Sequence, residues 1–404
     1  MFKKFTCSVL FFLCLHGKAI LLQAQDKSSL DGLQMEMFEL PNGELGNHVQ
    51  AIVQDQFGFM WFGSQYGLHR WDGHHFKTYL HDPSDPHSIG ADYIEYLLVA
   101  RDGSLWVGFW GGGLDHFQHE SGKFTHYTES LVSPWLSSNY VSVMLEDRKG
   151  NIWVGTQNGL DRLQPKSGKV THFKNKKKDP SSLSCNQVRS LYEDSEGTLW
   201  VGTGFVFDEY GAQTCGGLNR FHPETETFTR YTYKRNDPTG LAGTCVRAML
   251  EDSKGNFWVG TSGDGLQKMN RSTGKFIHYP NHKGNSSPFS APRYDGGSNR
   301  HVSAIFEDKD GLIWIADFSS GFKVINPVTG ESKLFQASDR SSKLLDNAAW
   351  TVFQSKDGVL WFSTALSDAR VYRIAHKRDM FKSVILPSKQ GYVSSFSEDK
   401  KDNL

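Results

Sequence analysis

Seven tryptophans of this chain stand in one recurring context. The text reads QDQFGFMWFGS around Trp61, ARDGSLWVGF around Trp106, EDRKGNIWVGT around Trp153 and EDSEGTLWVGT around Trp200. It returns as EDSKGNFWVGT around Trp258, EDKDGLIWIAD around Trp314 and SKDGVLWFST around Trp361. Successive tryptophans lie 45, 47, 47, 58, 56 and 47 residues apart. Self-similarity at such a period marks a repeat architecture, in which each unit cannot bury its own apolar faces and must borrow cover from its neighbours. A chain of 404 residues is then one large domain rather than two ordinary ones.

Alignment on the tryptophans exposes a template. Twelve residues before each stand Val49, Ile94, Val141, Val188, Val246, Val302 and Ala349, opening a short strand. Six before stand Asp55, Asp147, Asp194, Asp252 and Asp308, with Ala100 and Ser355 in the second and seventh repeats. Three before, every repeat has glycine: Gly58, Gly103, Gly150, Gly197, Gly255, Gly311 and Gly358. This predicts an Asp-x-x-Gly hairpin, the carboxylate accepting backbone N–H bonds and the glycine taking a positive φ. After the tryptophan come a second strand, a Gly-Leu pair in the first five repeats, a third strand such as LDRL and a fourth such as FTRY. Period-two alternation over such short segments excludes the helical solenoids. Four short antiparallel strands per repeat of this length is a propeller blade. The fold class is therefore all-β, a seven-bladed β-propeller of four-stranded antiparallel blades, its tryptophans wedged into the core. Each buried indole is worth roughly 4–6 kcal/mol of gross transfer free energy.

The two ends add to this. Lys3, Lys4, an apolar run from Phe5 to Leu15 and Leu22-Gln23-Ala24 have the layout of a secretory signal peptide cleaved after Ala24. The expected organisation is a signal peptide over 1–24, a linker over 25–34, the propeller over 35–387 and a truncated start of an eighth repeat over 388–404. The segment from Met35 to Leu40 resembles a fourth strand lacking its own first three and is expected to complete an open blade. Counting on from Val393 and Asp399 puts the next tryptophan one residue beyond Leu404, so the chain is expected to be the N-terminal part of something longer. The predicted localisation is periplasmic, with a membrane anchor only in a longer product. Of the mature cysteines, Cys185, Cys215 and Cys245 form neither a disulfide framework nor a zinc site. Cys185 and Cys245 occupy equivalent strand entrances, so one bridge between them is allowed, with unpaired thiols the simpler expectation.

Lysine plus arginine equals aspartate plus glutamate at 44 each, so no global field attracts nucleic acid. No zinc-protease, nucleophile-elbow, phosphate-loop or Cys-x-x-Cys motif is present in the sequence; no catalytic residue, metal ligand or cofactor is assigned. In a propeller the loops between blades and those between second and third strands open on one face. Two insertions fall there, Gly204 to Gly216 and Pro280 to Arg300, and loops carry binding while the scaffold stays fixed. The candidate ligand-binding residues are Trp110, Trp135, Asp208, Tyr210, Arg293, Tyr294, Asp295 and Trp350. Aromatic faces beside carboxylates and a guanidinium suit a sugar-like ligand; the plainer reading is that several of them only pack longer loops against the ring.

The pattern ED-x-x-G-x-(Leu/Ile/Phe)-W-(Val/Ile)-G-T…G-L-x-R-(Phe/Leu), as in Glu146 to Leu163 and Glu193 to Phe221, resembles the two-component regulator propeller repeat. That resemblance implies an extracytoplasmic sensor, usually of two propellers followed by an immunoglobulin-like domain, a membrane helix and a histidine kinase. It also implies a small-molecule or oligosaccharide ligand and, through the missing downstream domains, a homodimer. The expected function is a ligand-sensing ectodomain without its output machinery, not an enzyme. The alternatives are a propeller lyase or glycosidase and a protein-binding scaffold.

Overall fold

The computed structural model describes residues 30–38, 48–129, 135–205, 215–262, 265–279, 287–289, 301–339, 342–365 and 370–374. Within them the strands form seven four-stranded antiparallel sheets. The first strands are Val49–Gln54, Ile94–Val99, Val141–Glu146, Val188–Glu193, Val246–Glu251, Val302–Glu307 and Ala349–Gln354. They touch one another in a closed cycle, the last against the first, and so form the inner ring. The second strands are Met60–Ser64, Leu105–Phe109, Ile152–Thr156, Leu199–Gly204, Phe257–Thr261, Ile313–Asp317 and Leu360–Thr364. Each of those that is five residues long is buried throughout, because a blade's middle is covered on both sides by its neighbours.

The six-residue spacing from aspartate to tryptophan has a physical cause. Asp147 Oδ1 accepts the N–H groups of Lys149 and Asn151, both at 2.9 Å, while Oδ2 accepts Trp153 Nε1–H at 2.8 Å. The same indole bond recurs from Trp61 to Asp55, Trp200 to Asp194, Trp258 to Asp252 and Trp314 to Asp308, at 2.7–2.9 Å. Ser355 substitutes in the seventh blade at 3.2 Å. A buried indole N–H needs an acceptor, and the turn's own carboxylate supplies it. The tryptophans are 0–4% exposed. Trp153 and Trp200 pack on Phe221 and Phe257 of the following blade at ring distances of 5.1 and 5.0 Å. The basic residue of the third strand (Arg70, Arg162, Arg220 or Lys268) caps the indole of its own blade at 5.5–6.0 Å.

The glycine two residues after the tryptophan is a close-approach position. A Cβ on Gly155 would sit 2.5 Å from Val188 Cγ1 of the next blade and 2.6 Å from Val143 Cγ1. In the sixth blade Ala316 replaces this glycine, and the facing residue shrinks in step to Ala349. At the other face a polar clamp joins neighbours. The residue after the turn aspartate (or its substitute, Ala100 or Ser355) donates its backbone N–H to the last side chain of the next first strand: Arg101 to Glu146, Arg148 to Glu193, Ser195 to Glu251, Ser253 to Glu307, Lys309 to Gln354 and Lys356 to Gln54.

The ring closes as its N-terminal segment led one to expect. Glu36–Phe38 pairs antiparallel with Val371–Ile374 and completes the seventh sheet. Two expectations change. Where unpaired thiols were the simpler expectation, Cys185 is bonded to Cys215, Cα–Cα 5.2 Å, and Cys245, the partner the spacing allowed, is a buried free thiol. The reason is local: Cys185 precedes the first strand of blade four and Cys215 immediately precedes its third strand, so both reach the loop face side by side. The stretch read as a linker also reaches the core, with Leu30 and Leu33 buried beside Met35 among side chains of blades six and seven. The start of an eighth repeat and the signal sequence lie outside the described residues.

Candidate functional site

Every inner strand carries the same irregularity. Its pairing with the second strand skips one residue after the aligned valine, isoleucine or alanine, a β-bulge in all seven blades. A bulge re-aims the residue it frees. The skipped positions are Gln50, Glu95, Ser142, Arg189, Arg247, Ser303 and Trp350, six polar or charged residues and one tryptophan.

Contacts across the ring show where several of these point. The Arg247 guanidinium of blade five lies 4.7 Å from the centre of the Trp350 ring of blade seven. Glu95 of blade two is acted on electrostatically by Arg189 and Arg247 of blades four and five. Residues that far apart around a ring meet only across its axis, so these side chains project into the central channel on the loop-bearing face. Arg189 is held there by Nε donating to Gly204 O at 3.1 Å and Nη2 to Gln157 Oε1 at 3.2 Å. Phe318, which follows the second strand of blade six, stands 6.1 Å from Trp350.

The electrostatics are those of charges lining a half-buried channel. Burial pushes the Glu95 carboxyl up to about 7, against the opposing pull of Arg247 and Arg189. Burial lowers both arginines from their ordinary range and raises the Cys245 thiol beside them. Among the described residues Glu95 makes no hydrogen bond or ion pair, and Arg247 makes no hydrogen bond, its one close partner being the Trp350 face. Gln50 Oε1 and Ser142 Oγ are buried without a protein partner.

Of the candidates named from sequence, Trp350 belongs to this cluster. Trp110 lies at the mouth: its backbone N–H donates to Tyr93 O at 3.0 Å and its ring stands 5.3 Å from Tyr140. Trp110 and Tyr140 are 39% and 45% exposed, forming an aromatic ledge between blades two and three. Trp135 is elsewhere, its ring against Tyr127 of an outermost strand at 5.4 Å and close to Gly168, so it packs the outer flank. Asp208, Tyr210, Arg293, Tyr294 and Asp295 lie outside the described residues. Sequence reasoning missed Glu95, Arg189 and Arg247. Their signal was one template column, directly after the aligned valine or isoleucine, where charge appears in an apolar strand.

One other cluster resembles catalytic chemistry. Ser137 Oγ donates to Asp161 Oδ1 at 2.6 Å, and both contact His172 Nδ1, at 3.3 and 2.7 Å. A nucleophilic triad needs the serine and the carboxylate on opposite imidazole nitrogens; here both sit on one. Asp115 and His126 repeat the pair at 2.6 Å with the backbone N–H of Gly90 bonded to Asp115 at 2.8 Å. These are braces tying an incoming loop to the third strand.

Residues 43–66, 136–158, 182–205, 240–263 and 296–319 match the family model described as Two component regulator propeller. A Formosa agariphila protein named Histidine kinase P4 is 28% identical over 208 residues, 50% of this chain and 14% of that protein. The extracellular domain of a Bacteroides thetaiotaomicron protein described as a hybrid two component system superposes with a TM-score of 0.68 at 23% identity, over 84% of this chain and 42% of that one. Virginiamycin B lyase from Staphylococcus aureus superposes with a TM-score of 0.57 at 13% identity, over 85% of this chain and 99% of the lyase. At these identities the two solved structures show a shared propeller fold alone. This chain spans about 14% of the length of the curated relative it matches.

Proposed function

This chain is a two-component regulator propeller, and from that premise we propose that it is the extracytoplasmic ligand-sensing part of a signalling receptor. Its ligand is an oligosaccharide or similar small molecule, taken on the face that carries the inter-blade loops. The observation that supports this reading is the convergence there of side chains the fold does not need: Trp110 and Tyr140 at the mouth, with Trp350, Glu95, Arg189 and Arg247 below them. The Cys185–Cys215 bond fits export, since disulfides persist in oxidising compartments.

Thermal denaturation of the full chain against a panel of oligosaccharides tests the reading. A selective rise in melting temperature with the ligand recovered unchanged supports sensing. Conversion of the ligand would replace sensing with the enzyme alternative. A panel that gives no shift, beside a partner protein that does, would replace it with scaffolding.

A further inference from the structure

The channel cluster has more recognition chemistry than an empty scaffold requires. Arg247 presents a planar fork of donors that makes no hydrogen bond among the described residues, and it lies 4.7 Å from the centre of the Trp350 ring. Arg189 is fixed beside it by two hydrogen bonds. Such forks match a carboxylate bidentately. Among the described residues Glu95 and Gln50 Oε1 are acceptors without partners, so a ligand seated here must also bring donors. Trp350 and Phe318 supply an apolar wall.

We infer that the axial channel on the loop face binds a hydroxyl-bearing monocarboxylate of the uronic-acid type. Arg247 and Arg189 hold the carboxylate, Glu95 and Gln50 accept its hydroxyls, and its apolar ring face lies on Trp350. This inference deepens the sensing reading and rests on it. Charge counting selects an anion: two guanidinium groups facing one carboxyl leave the site net positive in either protonation state of Glu95, and with Glu95 ionised a phosphate dianion would exceed the one remaining positive charge. A neutral sugar would leave the Arg247 fork without an anionic partner, and unpaired charges shielded from water are costly.

The groups facing Glu95 are Arg189 and Arg247 from blades four and five and Tyr93 from its own blade, with Cys245 adjoining the two arginines. Tyr93 and Cys245 are both shifted upward and stay neutral near pH 7. Of these groups Glu95 alone therefore titrates there. When it ionises, the site loses one unit of positive charge and anion affinity falls.

The test is titration calorimetry on the full chain with glucuronate, glucose and inorganic phosphate at pH 6 and pH 8. Expected are saturable glucuronate binding, at least tenfold weaker binding of glucose and phosphate, and weaker glucuronate binding at pH 8. Arg247→Gln should cut glucuronate affinity at least tenfold while leaving the melting temperature near wild type, because Arg247 makes no hydrogen bond to the fold. Glu95→Gln should abolish the pH dependence. Equal glucuronate binding by wild type and Arg247→Gln, or tighter binding of phosphate, overturns the inference. If a neutral oligosaccharide shifts the melting temperature identically in both proteins and glucuronate binds neither, the axial site fails while the sensing reading stands.

Discussion

The turn carboxylate under each indole makes a quantitative prediction. Asp147 is 8% exposed and Trp153 is 2% exposed, and Asp147 accepts four hydrogen bonds: from the N–H groups of Lys149 and Asn151, from Asn151 Nδ2 and from Trp153 Nε1. Replacing Asp147 by alanine strands the indole N–H in the core, at a cost of about 1–3 kcal/mol for an unsatisfied buried donor. The two turn N–H groups lie nearer solvent and add about 0.5–1.5 kcal/mol between them. The expected destabilisation is therefore about 1.5–4.5 kcal/mol. Urea unfolding followed by tryptophan fluorescence would read it. A Trp153→Phe partner variant removes the N–H and keeps most of the apolar bulk, so a double-mutant cycle should return a coupling of about 1–2 kcal/mol. Additivity, or a loss below about 0.5 kcal/mol for Asp147→Ala, would refute the claim that the carboxylate organises the turn around the indole. Blade two is the natural control: Ala100 stands in place of the aspartate, and the Trp106 ring instead lies 4.6 Å from His116.

Gly155→Ala should cost about 1–3 kcal/mol by overpacking against Val188 and Val143. Ala349→Val should cost a similar amount because Ala316 already fills the facing position; urea midpoints measure both. Met35 is fully buried at the closure, and Met35→Ala should lower stability by about 2–5 kcal/mol. Reducing Cys185–Cys215, a bond across 30 residues, should lower stability by about 3–4 kcal/mol on the chain-entropy account, seen as a lower melting temperature in dithiothreitol. The Glu95 carboxyl is raised from 4.5 to about 7 in the fold, so between those values the native state holds the proton more tightly than the unfolded chain. Stability contributed by Glu95 thus falls as pH rises through this window. Glu95→Gln should unfold later than wild type at pH 8, with the difference shrinking by pH 5.

The fold was legible because packing leaves little choice at the template positions. A tryptophan needs its acceptor six residues back, and the glycine after it must admit the neighbour's valine. Seven copies repeat those constraints in register. The strand Glu36–Phe38 was legible because its alternation matches a fourth strand and nothing local pairs with it. The site was legible only in part. Trp110 and Trp350 announce themselves as aromatics, whereas Glu95, Arg189 and Arg247, in the same bulge column as Trp350, sit where period-two alternation foresees no convergence. Spacing placed both Cys185 and Cys245 at strand entrances, but pairing follows distance in space, and Cys215 stands beside Cys185 through the blade's own hairpin geometry.

The polar clamp between blades locates the weakest seam. Six junctions carry it; at the seventh, between blades one and two, Val99 stands where the others have glutamate or glutamine, and the backbone N–H of Gln56 has no side-chain acceptor there. A cleft of about 460 Å³ opens at this place, with Gln54, Gln56, Val99, Arg101, Phe353 and Lys356 in its wall. The apolar core across the same junction is continuous from Trp61 to Phe117, so the deficit lies in the rim. Val99→Glu restores the acceptor at a partly exposed position, and a hydrogen bond there is worth about 0.5–1.5 kcal/mol net. The variant should raise the urea midpoint by that amount and slow hydrogen exchange at Gln56 above all other turn amides. An unchanged Gln56 amide would show that the clamp follows from blade packing instead of reinforcing it.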